Sequence, residues 1–579
     1  MAPRWLPILH WLPGYGHTQL RSDLLASMVV ALLLIPQGIA YALLAGLPPV
    51  AGLYASIVPL LVYTLLGSSM VQSVGPMAVT SAMTAAALGP LAASGSSTYA
   101  QHAMALTLLT GGWLVLLGLL RLDRLLRMIS APVLQGFADG IALLIIVGQL
   151  APLLGISASG NTLPALLEAL WQALPAAQTG SLLFGLAGLL LLWLAGQPLE
   201  NTLIRAGLGA RQSRLASRLA PPLLLLGATA WLAWRTQPTL AQLGPLAGGM
   251  PLIPPFPDNS VHWGALLWPA LGIALAGFLQ SISVARQLAG PHMPDSRQEL
   301  LALGACNLAS AAVAGVPVSG GFSRSAVNAA AGARTPMAGT LTALWLILVV
   351  GWLAQALATL PLAWLAATIV LAAARLIAPL YAWRLLQGGR AGWHEALPYL
   401  TTLLAVLLIG AISGLLAGVA LSLLLFLLRA SQPHLAILGR LPGTEHYRNV
   451  RHFQVETRPE LLIARIDESL FFANSEVVIA ALAQAVRAQA QTRTVLLCLA
   501  AVNHIDRSAA DALLAWQREL AAQGIRLAIA ELKRPVALEL GAHPLLAALA
   551  GLDFVSTHAA VQALLPATNR QDEEGDFSI

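Results

Sequence analysis

The stretch VPVSGGFSRSAVNAAAG (316–332) lies between two long apolar runs and has the wrong shape for either. A full crossing takes about 20 mainly apolar residues, and this stretch is too short and too rich in Gly and Ser. It also carries Arg324, and a cation stranded in hydrocarbon costs at least about 2.5–3.5 kcal/mol unless it faces a cavity or a partner. A second interrupted stretch, SVGPMAVTSAMTAAAL, occupies 73–88. Each reads as extended backbone leading into a half-helix, and counting both as passes decides the fold.

Their setting is a membrane body. Of 579 residues, 57% are hydrophobic and only 10% charged, against roughly 25% charged in soluble domains; mean hydropathy is +0.75. Apolar runs begin near residues 24, 51, 102, 132, 181, 219, 263, 297, 337, 359, 396 and 412, giving twelve ordinary passes. The two half-helices raise the count to fourteen. With the N-terminus inside, thirteen arginines between Arg121 and Arg390, Arg124 and Arg127 among them, fall in inside loops, and Arg235 alone falls outside. Omitting either half-helix alone inverts everything downstream and destroys that asymmetry. Fourteen passes divide into two sevens of opposite orientation, so the expected fold is an inverted repeat. The interrupted segments hold the third place in each half, where such transporters bind substrate at the bilayer midplane.

Charge divides the chain further. Residues 1–430 hold 18 arginines and nine acids, whereas residues 431–579 hold 13 basic and 16 acidic residues. The expected parts are a cytoplasmic segment 1–20, a transporter domain 21–430, a linker 431–455, a soluble domain 456–566 and an acidic, disordered tail 567–579. The arginines of the body sit in short loops instead of forming one stripe, which argues against nucleic acid. Cys306 and Cys498 lie in different parts, and the twelve histidines show no clustered ligand spacing. Hence no disulfide framework, metal or cofactor is expected, nor is a cleaved signal peptide.

Helix N-termini expose unpaired N–H groups and partial positive charge. Two of them facing each other, with Arg324 added, make a cavity for a small anion. Gly320 and Gly321 permit close backbone approach, Ser319, Ser323 and Ser325 offer hydroxyls, and Pro76 and Pro317 suit extended backbone. The alternative is that Arg324 neutralises helix carbonyls or a structural acid. In the first run, LIPQGIAYALLAGLPPVAGLYAS (34–56), Gln37 and Tyr41 share a helical face, as site residues or as helix-to-helix glue. The eighth run offers Gln280, Ser281 and Ser283, with no carboxylate between Asp258 and Asp295. Asp139 is the clear acid within an apolar pass. It could pair with Arg324 or couple a proton, but its place near a helix start better suits a solvated or structural acid.

In the tail, LLIARIDE (461–468), TVLLCLAAV (494–502) and IRLAIAEL (525–532) read as buried strands, and 475–491 and 508–524 as helices. This is a small α/β domain without a catalytic triad or phosphate loop. Ser508 with Asp511 reads as a capping pair.

At this point the motifs resemble a family. RSDLLASMVVALLLIPQGIAYALLAGLPPVAGLYAS (21–56), SVGPMAVTS (73–81), GFSRSAVNAAAGARTPMAG (321–339) and RIDESLFFANSE (465–476) together are similar to the sulfate permease (SulP) family, equivalent to solute carrier family 26, with its C-terminal STAS domain. The resemblance implies a seven-plus-seven inverted repeat of core and gate domains, a homodimer and an anion substrate. The family's site would fall on Gln37, Tyr41, Met77, Ala78, Ser323 and Arg324. Where many relatives read Phe-Leu-Glu-Ser, this chain reads FLQS (278–281), so Gln280 removes a carboxylate and puts proton or sodium coupling there in doubt. Ser508 stands where STAS-type anti-sigma-factor antagonists carry a phosphorylated serine, a regulatory reading beside the capping one. The expectation is a non-enzymatic secondary transporter in the inner membrane, both termini cytoplasmic, sulfate leading. Bicarbonate, a dicarboxylate, an uncoupled channel and a membrane-anchored signalling protein with a cytoplasmic partner for the STAS domain are the alternatives.

Overall fold

Lipid is as apolar as leucine, so helices in a bilayer associate where small residues let backbones approach. Two such crossings organise the first part of this chain. α1 (His17–Leu44) meets α2 (Pro49–Leu66) at paired glycines, where a β-carbon on Gly52 would lie 1.9 Å from the Gly38 carbonyl oxygen. α2 then leads into β1 (Val74–Pro76), the half-helix α3 (Ala78–Leu88) and α4 (Ser97–Leu119). The computed structural model describes residues 6–123, 130–158, 160, 162–235, 240–244, 256–258, 261–289 and 293–564. Arg124, Arg127 and the tail 567–579 lie outside these residues, as do the side chains of Ser323, Arg235 and Arg390.

The chain continues through α5 (Ala131–Gly148), α6 (Thr179–Leu194), α7 (Gln197–Arg205), α8 (Ala210–Arg235), α9 (Trp263–Gln287) and α10 (Ser296–Ala311). α10 crosses α4 at the second glycine pair, Gly111 against Gly304, each β-carbon position about 3 Å from the other's carbonyl. β2 (Val318–Gly320), the half-helix α11 (Phe322–Ala331), α12 (Met337–Leu348), α13 (Leu362–Ala374), α14 (Gly389–Leu408) and α15 (Ala411–Ala430) complete the first compact unit, which ends at Ser422 within α15.

A helix thus stands at all fourteen expected places, but their lengths differ from the expectation. Among the described residues seven helices are long and apolar enough to cross a membrane, or eight with α6 and α7 taken as one span bent by 44°. The passes expected from residues 297, 337 and 359 are helices of only 16, 12 and 13 residues. α12 is short because it passes into π and 3-10 turns over Val349–Thr359, ahead of Pro361.

The second unit holds a six-stranded sheet of β3 (Leu435–Arg440), β4 (Tyr447–Asn449), β5 (Leu461–Ile466), β6 (Thr494–Cys498), β7 (Arg526–Ala530) and β8 (Asp553–Phe554), in the order β4-β3-β5-β6-β7-β8. β5 to β8 are parallel and β3 is antiparallel to both neighbours. Alternation serves two faces: Leu462 and Ala464 pack under α16 (Ser475–Ala488) and α17 (Arg507–Ala522), and Leu461 and Ile463 pack on the other side with Ala560 of α19, which follows α18 (Arg534–Leu540) and spans Thr557–Leu564. The stretch 431–455, expected as linker, supplies β3 and β4, because β5 needs a partner on its open edge. Ser508 is corrected as well. The N-cap is Asp506, whose carboxylate accepts from the Ala509 N–H at 2.8 Å, so α17 begins one residue before Ser508 and leaves that hydroxyl exposed.

Asp467, just after β5, yields a pH prediction. Burial alone would push its carboxyl up, but hydrogen bonds from Arg465 and His434 outweigh burial and hold it below the usual carboxylate range. A depressed folded pKa contributes stability that is complete above about pH 4 and lost as pH falls through the folded value. Asp467→Asn is therefore expected to lower the unfolding temperature of the second unit at pH 7, and the difference should vanish in strong acid. An equal deficit at both pH values would refute it.

Candidate functional site

The two halves of the first unit are joined at their interrupted segments. β1 and β2 pair antiparallel, Val74 opposite Gly320, Gly75 opposite Ser319 and Pro76 opposite Val318, and all six residues are buried. A ribbon of three residue pairs is about 10 Å long, and each strand delivers the N-terminus of its half-helix to one end of it. Neither helix start is capped by a side chain: Met77 before α3 has no polar atom to offer, and Gly321 before α11 has no side chain at all. The first N–H groups of α3 and α11 thus keep their partial positive charge.

Hydrogen bonds to α9 and α10 hold the ribbon and the chain just before it in place. Asn307 of α10 makes a paired bond with β2, donating to the Val318 carbonyl (3.0 Å) and accepting from the Val318 N–H (2.9 Å). Ser319 donates to the Gly277 carbonyl of α9 at 2.6 Å, and Gln72 donates to Ser281 of the same helix. The Gly321 N–H returns to the Ser73 carbonyl, and the Ser73 N–H to the Ser325 hydroxyl.

Arg324 stands in the first turn of α11 with its side chain against this ribbon, 2% exposed. Nη1 donates to the Pro76 carbonyl at 2.6 Å, while Nε and Nη2 have no partner. The glycines make room: a β-carbon on Gly321 would approach the guanidinium carbon to 3.0 Å, and one on Gly75 would lie 3.4 Å from Nη2. No carboxylate among the described residues pairs with it. Its electrostatic neighbour is the phenol of Tyr41, buried on α1 and also within reach of Arg375. One guanidinium nitrogen thus bonds a carbonyl, as the alternative reading of Arg324 expects, and two have no partner among the described residues.

Of the other expected residues, Met77 and Ala78 are buried where β1 turns into α3. Gln37 lies one turn from Tyr41 on α1, and Gln280 on α9 adjoins Ser281, the acceptor of Gln72. Both amides are half-buried, and among the described residues neither bonds to Arg324. Ser323 has its backbone in the first turn of α11.

Asp139 is elsewhere. It is 3% exposed, not solvated, and accepts from Tyr399 Oη (2.7 Å), Gln135 Nε2 (2.7 Å) and the Ala378 N–H (3.1 Å), fastening α5 to α14 and to the chain beyond α13. Two further buried acids escaped sequence reading. Asp23 accepts from the Arg334 N–H (2.7 Å) and from the Thr335 hydroxyl (2.6 Å) and N–H. Glu299, 0% exposed, accepts from Tyr63 Oη (2.9 Å), the Ser68 N–H (2.9 Å) and hydroxyl (2.7 Å) and the Ser69 N–H (3.2 Å). Each carboxylate has at least three donors, so none offers a vacant base beside Arg324.

A buried guanidinium with two unpartnered donors and, among the described residues, no carboxylate paired with it is chemistry for holding an anion. Comparison with known proteins places the chain accordingly. Residues 20–392 match the Sulfate permease family and residues 452–561 the STAS domain. A probable sulfate transporter of Mycobacterium tuberculosis is 36% identical over 571 residues, covering 96% of this chain and 98% of its own. The chloroplastic sulfate transporter 4.1 of Arabidopsis thaliana is 30% identical over 597 residues, 99% of this chain and 84% of its own. Among solved structures, the murine solute carrier 26 family member A9 anion transporter, inward-facing, superposes with a TM-score of 0.85 at 22% identity over 96% of this chain and 94% of that one. The transmembrane domain of the cyanobacterial bicarbonate transporter BicA superposes with a TM-score of 0.60 at 20% identity, over 70% of this chain and 98% of that one. These last two likenesses concern the fold alone.

Proposed function

Because the chain belongs to the sulfate permease family, we propose that it is a secondary transporter of sulfate, holding the anion between the starts of α3 and α11 and exposing it alternately to the two sides of the membrane. The observation that carries this reading is Arg324, buried with two unpaired donors and, among the described residues, no carboxylate paired with it. Its full charge and about half a charge from each uncapped helix start sum to about +2. That balance suits a dianion better than chloride or bicarbonate. The names of the curated relatives point the same way.

On this reading Arg324 and the N–H groups about Met77, Ala78 and Ser323 hold the sulfate oxygens, and Tyr41, Gln37 and Gln280 complete the wall with neutral groups. Asp139, Asp23 and Glu299 fasten helices and carry no transported proton. We place the arginine-rich loops and both termini on the cytoplasmic side of the inner membrane. Family resemblance supports a homodimer, and the STAS unit offers a cytoplasmic face for a partner.

Radiolabelled sulfate uptake into proteoliposomes, with an inward proton gradient, an inward sodium gradient or neither, tests the reading. Saturable uptake is expected, competed by other tetrahedral dianions and left nearly unchanged by tenfold excess chloride or bicarbonate. Equal competition by bicarbonate would overturn the dianion assignment, and no flux of any anion would overturn transport.

A further inference from the structure

A recess of about 530 Å³ in the first unit does not include Arg324 in its lining. It lies on one face of α8, where Gly227 and Ala228 leave a gap in the side-chain surface, and a β-carbon on Gly227 would meet nothing within 4 Å. Ala228 and the indole of Trp364 form its floor. Phe184 and Trp231 form its walls, stacked with ring centroids 5.9 Å apart, and the Trp364 N–H is already spent on the Phe184 carbonyl at 3.0 Å. Leu223 and Trp231 stand at the lip, both exposed. The indole N–H groups are thus the only polar side-chain groups in its lining, and it lies on a helix long and apolar enough to cross a membrane.

Charge lies at one end of the same helix. α7 ends at Arg205 and α8 begins with Arg211, Arg214 and Arg218, against a single acid, Glu200. Arg218 is engaged, donating to the Ala326 carbonyl at 2.8 Å. Arg205 and Arg214 are exposed, and Arg214 reaches Glu200 only at 3.4 Å. Arg214 precedes Ala220, at the near end of the slot, by six residues, about 9 Å along a helix. An apolar slot of ligand size on a helix whose start, about 9 Å further along, is basic has the two chemistries of an anionic phospholipid. We propose that the slot holds an acyl chain of such a lipid, with its phosphate against Arg205 and Arg214. This rests on the membrane fold and is independent of which anion is carried.

The test uses full-length protein, stripped of lipid in detergent, with phosphatidylglycerol or phosphatidylcholine of identical chains added back. Thermal unfolding and lipid retention by native mass spectrometry are read together. Phosphatidylglycerol at a hundredfold excess over its dissociation constant should raise the unfolding temperature by about 5 °C and be retained severalfold more than phosphatidylcholine. Gly227→Leu, which fills the slot, should lose retention of both. The Arg205→Gln/Arg214→Gln pair should keep acyl binding and lose the preference for phosphatidylglycerol. If Gly227→Leu does not fold, the arginine pair decides alone. Indifference of the wild type to headgroup, unchanged retention in Gly227→Leu, or a change in self-association in its place, which would mean that a second copy covers the slot, each overturns the proposal.

Discussion

Arg324→Ala is expected to abolish saturable sulfate uptake while leaving the protein folded. The guanidinium supplies the one full positive charge at the ribbon and two free donors, and a hydrogen bond to a charged group contributes about 1.5–3 kcal/mol. Losing two such bonds and the charge weakens binding by at least about 100-fold, so uptake at micromolar sulfate should fall to the leak level. Folding is spared because, among the described residues, the one side-chain bond lost is that to the Pro76 carbonyl. Arg324→Lys keeps a charge but not the planar fork, and should recover part of the uptake with a raised KM. The measurement is initial uptake against sulfate concentration, with unfolding temperature as the folding control. A wild-type KM in Arg324→Ala would place the anion elsewhere.

Glu299→Ala should have the opposite profile, a loss of the protein more than of the site. Its removal leaves the Tyr63 hydroxyl and the Ser68 and Ser69 N–H groups buried without their acceptor, at about 1–3 kcal/mol for each stranded group. Several kcal/mol is a large share of a typical domain's 5–15. We expect low yield and an unfolding temperature lowered by roughly 5–10 °C. Glu299→Gln, which keeps one carbonyl acceptor, should lose less, and adding Tyr63→Phe to Glu299→Ala should return part of the loss by removing a stranded hydroxyl. Surviving Glu299→Ala should still bind sulfate. An unfolding temperature within 2 °C of wild type would show that water replaces the carboxylate.

What was legible follows from locality. The half-helices could be read because Gly, Pro and Ser interrupt apolar runs over a dozen residues, and Arg324 because a cation there has no neighbour in sequence to satisfy it. Glu299 and Asp23 stand beside Arg297 and near Arg21 and look like loop charges. Their donors lie more than 200 residues away and are visible only after folding. Asn307 escaped for a different reason: its partner Val318 is only eleven residues on, but the bonds are to the backbone of β2, which leaves no side-chain signature in the sequence. At Ser508 the spacing to Asp511 fits a cap pattern, but the carboxylate of Asp506 takes the Ala509 N–H and sets the N-cap two residues earlier. β3 is only six residues long and follows α15 after the break Ser431–His434, so its short alternation reads as part of a linker.

The β1/β2 ribbon has a mechanical consequence. Its strands bond to each other, and Asn307, Ser319 and Gln72 rivet it to α9 and α10. Parting the half-helices would strand buried amides and carbonyls, each at a cost comparable to a lost hydrogen bond. On the proposed function, the two half-helix starts therefore cannot part like jaws around the anion. Ribbon and cargo would travel as one block, and the barrier that alternates between the two faces of the membrane would be formed by other helices sliding past it.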